Sequence, residues 1–239
     1  MTRLGIIGGN GRMGQALVDA ANEAGLAVAG AIDVGGDPVA LAKASDILID
    51  FSSRDALEAS LGSATSARIP LVIGTTGLSE EHHGLIDRTA THIPVLQTGN
   101  FSLGVTLLAK LVEQATATLS PDWDIEILEM HHHHKIDAPS GTALLLGEAA
   151  AAGRGTPLAG IKDIDRNHKR NRGDIGFASL RGGSVFGDHQ VIMAGNGERI
   201  ELGHRAESRE VFARGALTAA QWLIGKPAKR YTMRDVLGL

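Results

Sequence analysis

Leu4-Gly5-Ile6-Ile7-Gly8-Gly9-Asn10-Gly11-Arg12-Met13-Gly14 is the stretch on which the fold of this 239-residue chain turns. Leu4 to Ile7 is a short apolar run of strand type. The glycines after it fit G-x-x-G-x-x-G from Gly8 and G-x-G-x-x-G from Gly9. Met13, Leu17, Val18 and Ala21 then recur at helical spacing, and Gly25 is a stop signal. A second apolar run, Leu26 to Ile32, ends in Asp33, 19 residues after Gly14. Strand, glycine turn, helix, strand and terminal acid make a dinucleotide-binding βαβ pattern. Glycines let the backbone approach a pyrophosphate, and the acid accepts hydrogen bonds from a ribose. The plain alternative is a tight glycine turn that holds no ligand. A carboxylate at Asp33 repels a 2′-phosphate, and neither Val34 nor Gly35 supplies an offsetting cation, so NADH is favoured over NADPH. Arg12 is placed to reach toward the adenosine end.

Three further apolar runs follow: Ile47 to Ser52, Pro70 to Gly77 and Pro94 to Phe101. Segments of helical composition, Ser53 to Ser63 and Ser79 to Thr91, lie between them. Strand and helix in alternation imply a parallel sheet, whose ligands sit at the carboxyl ends of the strands. Gly74-Thr75-Thr76 and Gly99-Asn100-Phe101 occupy such ends and are candidates to line a nicotinamide and its ribose. As unliganded loops they would look equally small and polar. His82, His83 and His92 read as exposed surface histidines.

The second half changes character. Leu103, Leu107, Leu108, Leu111 and Val112 are spaced as one helix, after which Asp124 to His131 alternates as a strand. The run Glu129-Met130-His131-His132-His133-His134-Lys135-Ile136-Asp137-Ala138-Pro139-Ser140-Gly141-Thr142 holds four of the ten histidines. Extended backbone would put Glu129, His131 and His133 on one face and His132 and His134 on the other. Three converging imidazoles for zinc would therefore need a turn, and no separated fourth ligand is apparent, so no metal centre is expected. Ala138 to Ala152 reads as a helix, and Gly141 and Thr142 in its first turn can present N–H groups and a hydroxyl to an anion. Cations and proton donors beside a helix N-terminus suit a small carboxylate that is protonated as it reacts. Solvated histidines and a simple helix cap are the bland readings. Lys162 to Arg172, with six basic residues against two aspartates, reads as a mobile solvated loop or a lid. Strands at Ile175 to Arg181, His189 to Met193 and Arg199 to His204 suggest an antiparallel meander to which 124–131 adds. A helix on one face of that sheet leaves the other uncovered, which favours oligomerisation. Arg209 to Leu223 is a closing helix with Val211, Phe212, Leu217 and Trp222 as buried candidates.

The fold class is therefore α/β: a Rossmann-type parallel-sheet domain plus a smaller α+β domain with an open mixed sheet. Aromatic residues at 3% and a net charge of −4 argue against a nucleic-acid or membrane partner. There is no cysteine, which excludes disulfides, thiolate metal sites and cysteine nucleophiles. No leader or long apolar run is seen, so the expected location is cytoplasmic.

The Gly8-to-Gly14 turn, Gly74-Thr75-Thr76, Asn100-Phe101, the Glu129-to-Thr142 run and the ending Met233-Arg234-Asp235-Val236-Leu237 together resemble the 4-hydroxy-tetrahydrodipicolinate (dihydrodipicolinate) reductase family. The resemblance spans essentially the whole chain, and Lys135-x-Asp137-Ala138-Pro139-Ser140-Gly141-Thr142 is highly specific to it. It implies an enzyme of diaminopimelate and lysine biosynthesis that reduces a small dicarboxylate with NADH or NADPH. It also implies a nucleotide domain of residues 1–101 and 213–239, with a substrate and oligomerisation domain of 102–212 that forms a homotetramer. By position, His131 resembles the general acid/base and Lys135 its partner proton donor. His132, Gly141 and Thr142 resemble substrate contacts. Gly8, Gly9, Asn10, Gly11, Arg12, Met13, Asp33, Gly74, Thr75, Thr76, Thr98, Gly99, Asn100 and Phe101 match nucleotide contacts. No role transfers to His133 or His134, and Val34 to Ser45 is shorter than the family pattern. Two competing readings are an amino-acid dehydrogenase of homoserine or aspartate type, which gives no reason for the His-His-x-x-Lys run, and a non-catalytic nucleotide sensor.

Overall fold

A computed structural model describes residues 2–239. The chain begins with β1 (Arg3–Ile7), α1 (Arg12–Glu23), β2 (Ala27–Ile32), α2 (Pro38–Ala44) and β3 (Ile47–Asp50). α3 (Leu57–Ala67), β4 (Leu71–Ile73), α4 (Glu80–Ala90) and β5 (Val95–Gln97) follow. The middle holds α5 (Leu103–Thr118), β6 (Asp124–His131), α6 (Gly141–Gly153), β7 (Lys162–Asp163), β8 (Ile175–Arg181), β9 (Gly187–Ala194) and β10 (Arg199–Ala206). The chain ends with α7 (Glu210–Leu223), β11 (Arg230–Tyr231) and α8 (Met233–Leu237). Two units result: residues up to Leu103 with Arg209–Leu239, and Gly104–Ser208.

In the first unit a parallel six-stranded sheet runs in the order β11-β5-β4-β3-β1-β2. Because side chains alternate along a strand, each run feeds two cores. Leu4, Ile6, Ile47, Ile49, Val72 and Leu96 pack toward α1 and α7, whereas Ile7, Leu48, Leu71, Ile73 and Val95 pack toward α2, α3 and α4. Coverage on both faces is why these strands read as unbroken apolar runs. Chain order reverses between β1 and β3, the crevice position at which such sheets bind ligands.

Three sequence readings change here. Helix α2 was not foreseen, although Asp37 caps it through bonds from the Val39 and Ala40 N–H groups at 2.9 and 3.0 Å, with Pro38 next. On α7 the buried face is mostly small: Ala213, Gly215, Ala216, Ala219 and Ala220 join Leu217, while Val211, Phe212 and Trp222 are only half-buried. The cause is close approach, since a Cβ at Gly215 would lie 1.9 Å from the Phe101 carbonyl oxygen. His82 and His83 are half-buried and engaged rather than exposed. His82 completes a capping box with Ser79, and His83 Nδ1 accepts from Arg230 at 3.0 Å.

The second unit is a mixed sheet in the order β10-β9-β6-β8-β7. The expected meander of three successive strands is corrected. β8 pairs with β6, in parallel, and β6 separates it from β9. A parallel neighbour requires a long crossover, and α6 supplies it between β6 and β8. Helices α5 and α6 cover one face, with Leu108, Val112, Leu146 and Ala150 on Ile125, Ile127, Phe177, Val191 and Met193. Leu128, Met130 and Leu180 stand on the opposite face, where Leu180 is 48% exposed. The basic stretch 162–172 is anchored rather than free. Arg166 and Arg170 bind Glu126 on β6 at 2.7 and 2.8 Å, Arg170 also binds Asp124 at 2.9 Å, and Arg166 pairs with Asp163. The carboxylates of Asp124 and Glu126 on β6 and the buried Asp163 on β7 are what hold it down.

Candidate active site

The carboxyl ends of β1 to β5 carry the glycine turn and the small polar loops of the first unit. Gly8 has φ +85°, and the Gly8 and Gly9 N–H groups both donate to the Ile32 carbonyl at 2.9 Å. A Cβ at Gly8 would sit 2.6 Å from the Phe51 carbonyl oxygen, and one at Gly14 only 2.1 Å from the Gly8 oxygen. Glycine is thus required by backbone crowding. Helix α1 has Gly11 as its N-cap residue, with no side-chain cap and no acidic residue in its first turn. Its amino end is left for an anion such as a pyrophosphate, and Arg12 stands beside it. Beside the turn lies a cavity of about 620 Å³, whose charged lining residues are Asp33 and Asp55. Asp33 accepts the Asn10 N–H at 3.0 Å and the Val34 N–H at 2.8 Å. Each carboxylate oxygen has a second lone pair for a ribose hydroxyl. These features fit a dinucleotide.

The other strand ends are more mixed. Thr76 and Gly99 are exposed, and Thr98 is half-buried with its Oγ1 bonded to the Asn100 main chain at 3.0 and 3.1 Å. Thr75 is buried, and its Oγ1 reaches the buried Asp50 at 3.5 Å. The Phe101 side chain, 2% exposed, belongs to the core and packs on Phe51 with ring centroids 5.2 Å apart. The Phe101 ring is therefore taken up by the core rather than presented to a ligand. Gly74 makes room for the same cluster, because a Cβ there would lie 2.3 Å from the Phe51 ring.

The second unit holds the polar cluster. Along β6 the inward face reads Ile125, Ile127, Glu129 and His131, so a hydrophobic face turns polar at its carboxyl end. Glu129 and His131 share that face as the alternation demands. A turn closed by the Lys135 N–H on the His132 carbonyl, 3.1 Å, then ends the extended run. His133 and His134 are therefore outside, exposed, with rings 3.9 Å apart and His133 Nδ1 on the Gly183 carbonyl. His132 is half-buried. His131 Nδ1 lies 2.5 Å from Glu129 Oε2. Arg181 grips both Glu129 oxygens at 2.8 Å, and the Ser140 N–H donates to Oε1 at 3.2 Å. Burial pushes the Glu129 carboxyl up, but hydrogen bonds from Arg181, Ser179 and His131 outweigh it and hold the group at about 2. Lys135 is half-buried and donates to Asp137 at 2.8 Å, which lowers the Asp137 carboxyl. Ser140 caps α6 by accepting the Ala143 N–H, so Gly141 and Thr142 form its first turn. Gly141 is exposed, and a Cβ built on it meets nothing within 4 Å.

Sequence reading placed Glu129 on the His131 face but assigned it no role, and it missed Arg181 and His189 altogether. His189 is buried, stands edge-on to His131 with centroids 5.0 Å apart, and contacts Ser140 Oγ at 3.1 Å. No motif carried it; the pairing of Glu129 with His189 across β6 and β9 brings it in. Burial first, then repulsion from His131, holds the His189 ring down at about 4. An unfolded imidazole titrates near 6.5, so between these values the unfolded chain binds more protons than the folded one. The stability this neutral ring carries is complete above about pH 6.5 and is lost as pH falls toward 4. Glu129 adds a second loss, from its ordinary 4.5 down to about 2. We expect thermal denaturation midpoints to fall between pH 7 and 4, by the equivalent of roughly 3 kcal/mol. His189→Gln should flatten that slope; a variant that tracks the wild-type slope would remove His189 as its origin.

Comparison with known proteins places the chain in a family. Residues 2–101 match the family described as "Dihydrodipicolinate reductase, N-terminus", and residues 104–237 match "Dihydrodipicolinate reductase, C-terminus". The 4-hydroxy-tetrahydrodipicolinate reductase of Zymomonas mobilis is 56% identical over 99% of this chain and 97% of its own. The 4-hydroxy-tetrahydrodipicolinate reductase 1 of Mesorhizobium japonicum is 49% identical over 98% and 96%. A solved dipicolinate-bound dihydrodipicolinate reductase from Paenisporosarcina sp. TG-14 shares the fold, with TM-score 0.77, 22% identity and 98% coverage of both chains. Aspartate dehydrogenase from Thermotoga maritima is more distant in fold, with TM-score 0.52, 11% identity and coverage of 95% and 98%. The matches to both halves and the identity over nearly the full length lead to one conclusion: the chain belongs to the dihydrodipicolinate reductase family.

Proposed function

We propose that this chain is an NAD(P)H-dependent oxidoreductase that reduces 4-hydroxy-tetrahydrodipicolinate to tetrahydrodipicolinate, in diaminopimelate and lysine biosynthesis. The observation that carries the reading is how Glu129 to Thr142 folds. One short segment brings a buried imidazole, a lysine and the amino end of a 13-residue helix together, in a chain that matches this family over both units. A ring with two carboxylates needs concentrated positive potential in a chain of net charge −4. Lys135, His132 and the α6 amides at Gly141 and Thr142 supply it. The 4-hydroxyl first leaves as water, taking a proton from the adjacent ring carbon and leaving a C=C conjugated with the C=N; when bound, the dihydronicotinamide would supply the hydride to that system. The reduced ring then needs one proton, for which His131 and Lys135 are the donors. Imidazole is the side chain that changes charge near neutral pH, and a positioned donor is worth on the order of 10²–10⁴ in rate.

NADH is the favoured cofactor because the charged groups lining the adenosine-side cavity, Asp33 and Asp55, are both acidic. Asp33→Ala should raise activity with NADPH relative to NADH. Because Asp33 also receives the Asn10 N–H, the readout is the ratio of kcat/KM values, and an unaltered ratio would show that Asp33 does not read the ribose. The reading includes a homotetramer assembled through the open face of the second sheet, and a cytoplasmic location. Supporting it, Leu180 is exposed on that face, and no helix among the described residues is long and apolar enough to cross a membrane. The deciding assay supplies freshly generated product of the preceding synthase and follows oxidation of NADH and of NADPH. Turnover supports the reading. No turnover with either cofactor, or turnover of aspartate or homoserine instead, overturns it.

A further inference from the structure

The Glu129–His131 contact carries more than a hydrogen bond. Glu129 is 1% exposed and receives both arms of Arg181, the Ser140 N–H and the His131 ring. An ionised carboxylate only accepts, so the hydrogen on the 2.5 Å contact belongs to His131 Nδ1. That nitrogen then stays protonated whether the ring is neutral or charged, and only Nε2 gains and loses a proton. The far side of the ring is shaped to match. A Cβ at Gly187 would come within 3.0 Å of His131 Nε2, so the glycine keeps space open beside that nitrogen. His189 stands edge-on to the imidazole. Arg181 is tied onward, donating to the Asp137 carbonyl at 2.7 Å, and the Asp137 carboxylate in turn holds Lys135.

We infer that the Glu129–Arg181 pair is a positioning device for His131, fixing its Nδ1–H toward the carboxylate so that Nε2, in the space left by Gly187, is the nitrogen that gives its proton to the substrate. The inference rests on the reductase reading for what the proton does. In the step, the Nε2–H bond of the imidazolium breaks as a C–H bond forms on the reduced ring. The imidazole is left neutral with Nδ1–H in place, and solvent returns the proton. Neither Glu129 nor Arg181 touches substrate; both act through His131.

The test joins kinetics to a readout that a purely structural role would not move. ¹⁵N-histidine NMR of the full-length protein reports which ring nitrogen carries hydrogen, with His131 assigned by its loss in His131→Gln. The expected result is His131 held as the Nδ1–H tautomer in the wild type. In Glu129→Gln a mixture is expected, with kcat lowered on the order of 10-fold to 10²-fold and NADH affinity unchanged. Gly187→Ala should lower kcat about 10-fold or more by crowding Nε2, again without loss of NADH binding. A wild-type ring protonated at Nε2 alone would overturn the inference. So would Glu129→Gln with tautomer and kcat unaltered, or Gly187→Ala with full kcat. Should Glu129→Gln fail to fold, the wild-type tautomer and Gly187→Ala decide by themselves. The two readings fail separately: a wild type with no turnover sinks the reductase reading, while the tautomer still tests the clamp.

Discussion

His131→Ala is expected to lower kcat by on the order of 10²–10⁴ while NADH still binds. The ring sits at the carboxyl end of β6, 8% exposed, and its partners are Glu129 and His189 in the same unit. Every nucleotide-contact candidate lies in the other unit, so cofactor affinity, measured by fluorescence titration, should persist. Removal of the imidazole leaves the Glu129–Arg181 ion pair intact, so the fold should tolerate the change better than loss of Glu129. Lys135→Ala should also lose most of kcat, because it removes positive charge needed by a dicarboxylate as well as a donor. Its half-buried ammonium has one carboxylate partner, Asp137, whose side chain is 62% exposed, so the stability cost should be small. Normal turnover in both variants would reject the assignment of the proton donors.

The second large effect is expected at the glycine turn. In Gly14→Ala the new methyl would lie 2.1 Å from the Gly8 carbonyl oxygen and 2.7 Å from the Gly9 Cα. Both are backbone atoms, which cannot swing aside as a side chain does. The start of α1 must therefore move away from the turn, and the pyrophosphate loses its close approach to the helix amides. NADH affinity should fall by about 10²-fold or more, with tenfold corresponding to about 1.4 kcal/mol. The second unit, with its own core, should keep its secondary structure in circular dichroism. A variant that binds NADH normally would show that the turn does not cradle the cofactor.

Much of the first unit is legible residue by residue because its constraints are local. Gly8 needs a positive φ, Gly14 needs the absence of a Cβ, and Asp33 closes the second strand. None of this depends on distant partners. Helix α2 is barely legible in sequence: Asp37-Pro38 signals a helix start, but its seven residues show little periodicity. On α7 the largest side chains, Phe212 and Trp222, stay half-buried, and a face of alanine and glycine meets the core. Phe101 shows the limit of a motif: its position at a strand end is readable, but its side chain turns inward to Phe51.

In the second unit the histidine run identified the segment without identifying its partners. Alternation on β6 puts Glu129 with His131, and the turn at His132–Lys135 then expels His133 and His134, which no spacing rule announces. Arg181 and His189 lie 52 and 60 residues from Glu129 in sequence, and they reach it only through strand register. That register follows from α6, which carries the chain over the sheet so that β8 joins β6 in parallel. The amino-acid sequence alone determined the glycine turn, the alternating α/β class and the segment that carries the histidines, Lys135 and the Pro139-Ser140 helix entry, since each is written in neighbouring residues and short-range sterics. The tertiary structure alone decided which imidazoles are buried, what holds the Glu129 carboxylate ionised and which strands meet, because those depend on packing a crossover helix against a sheet.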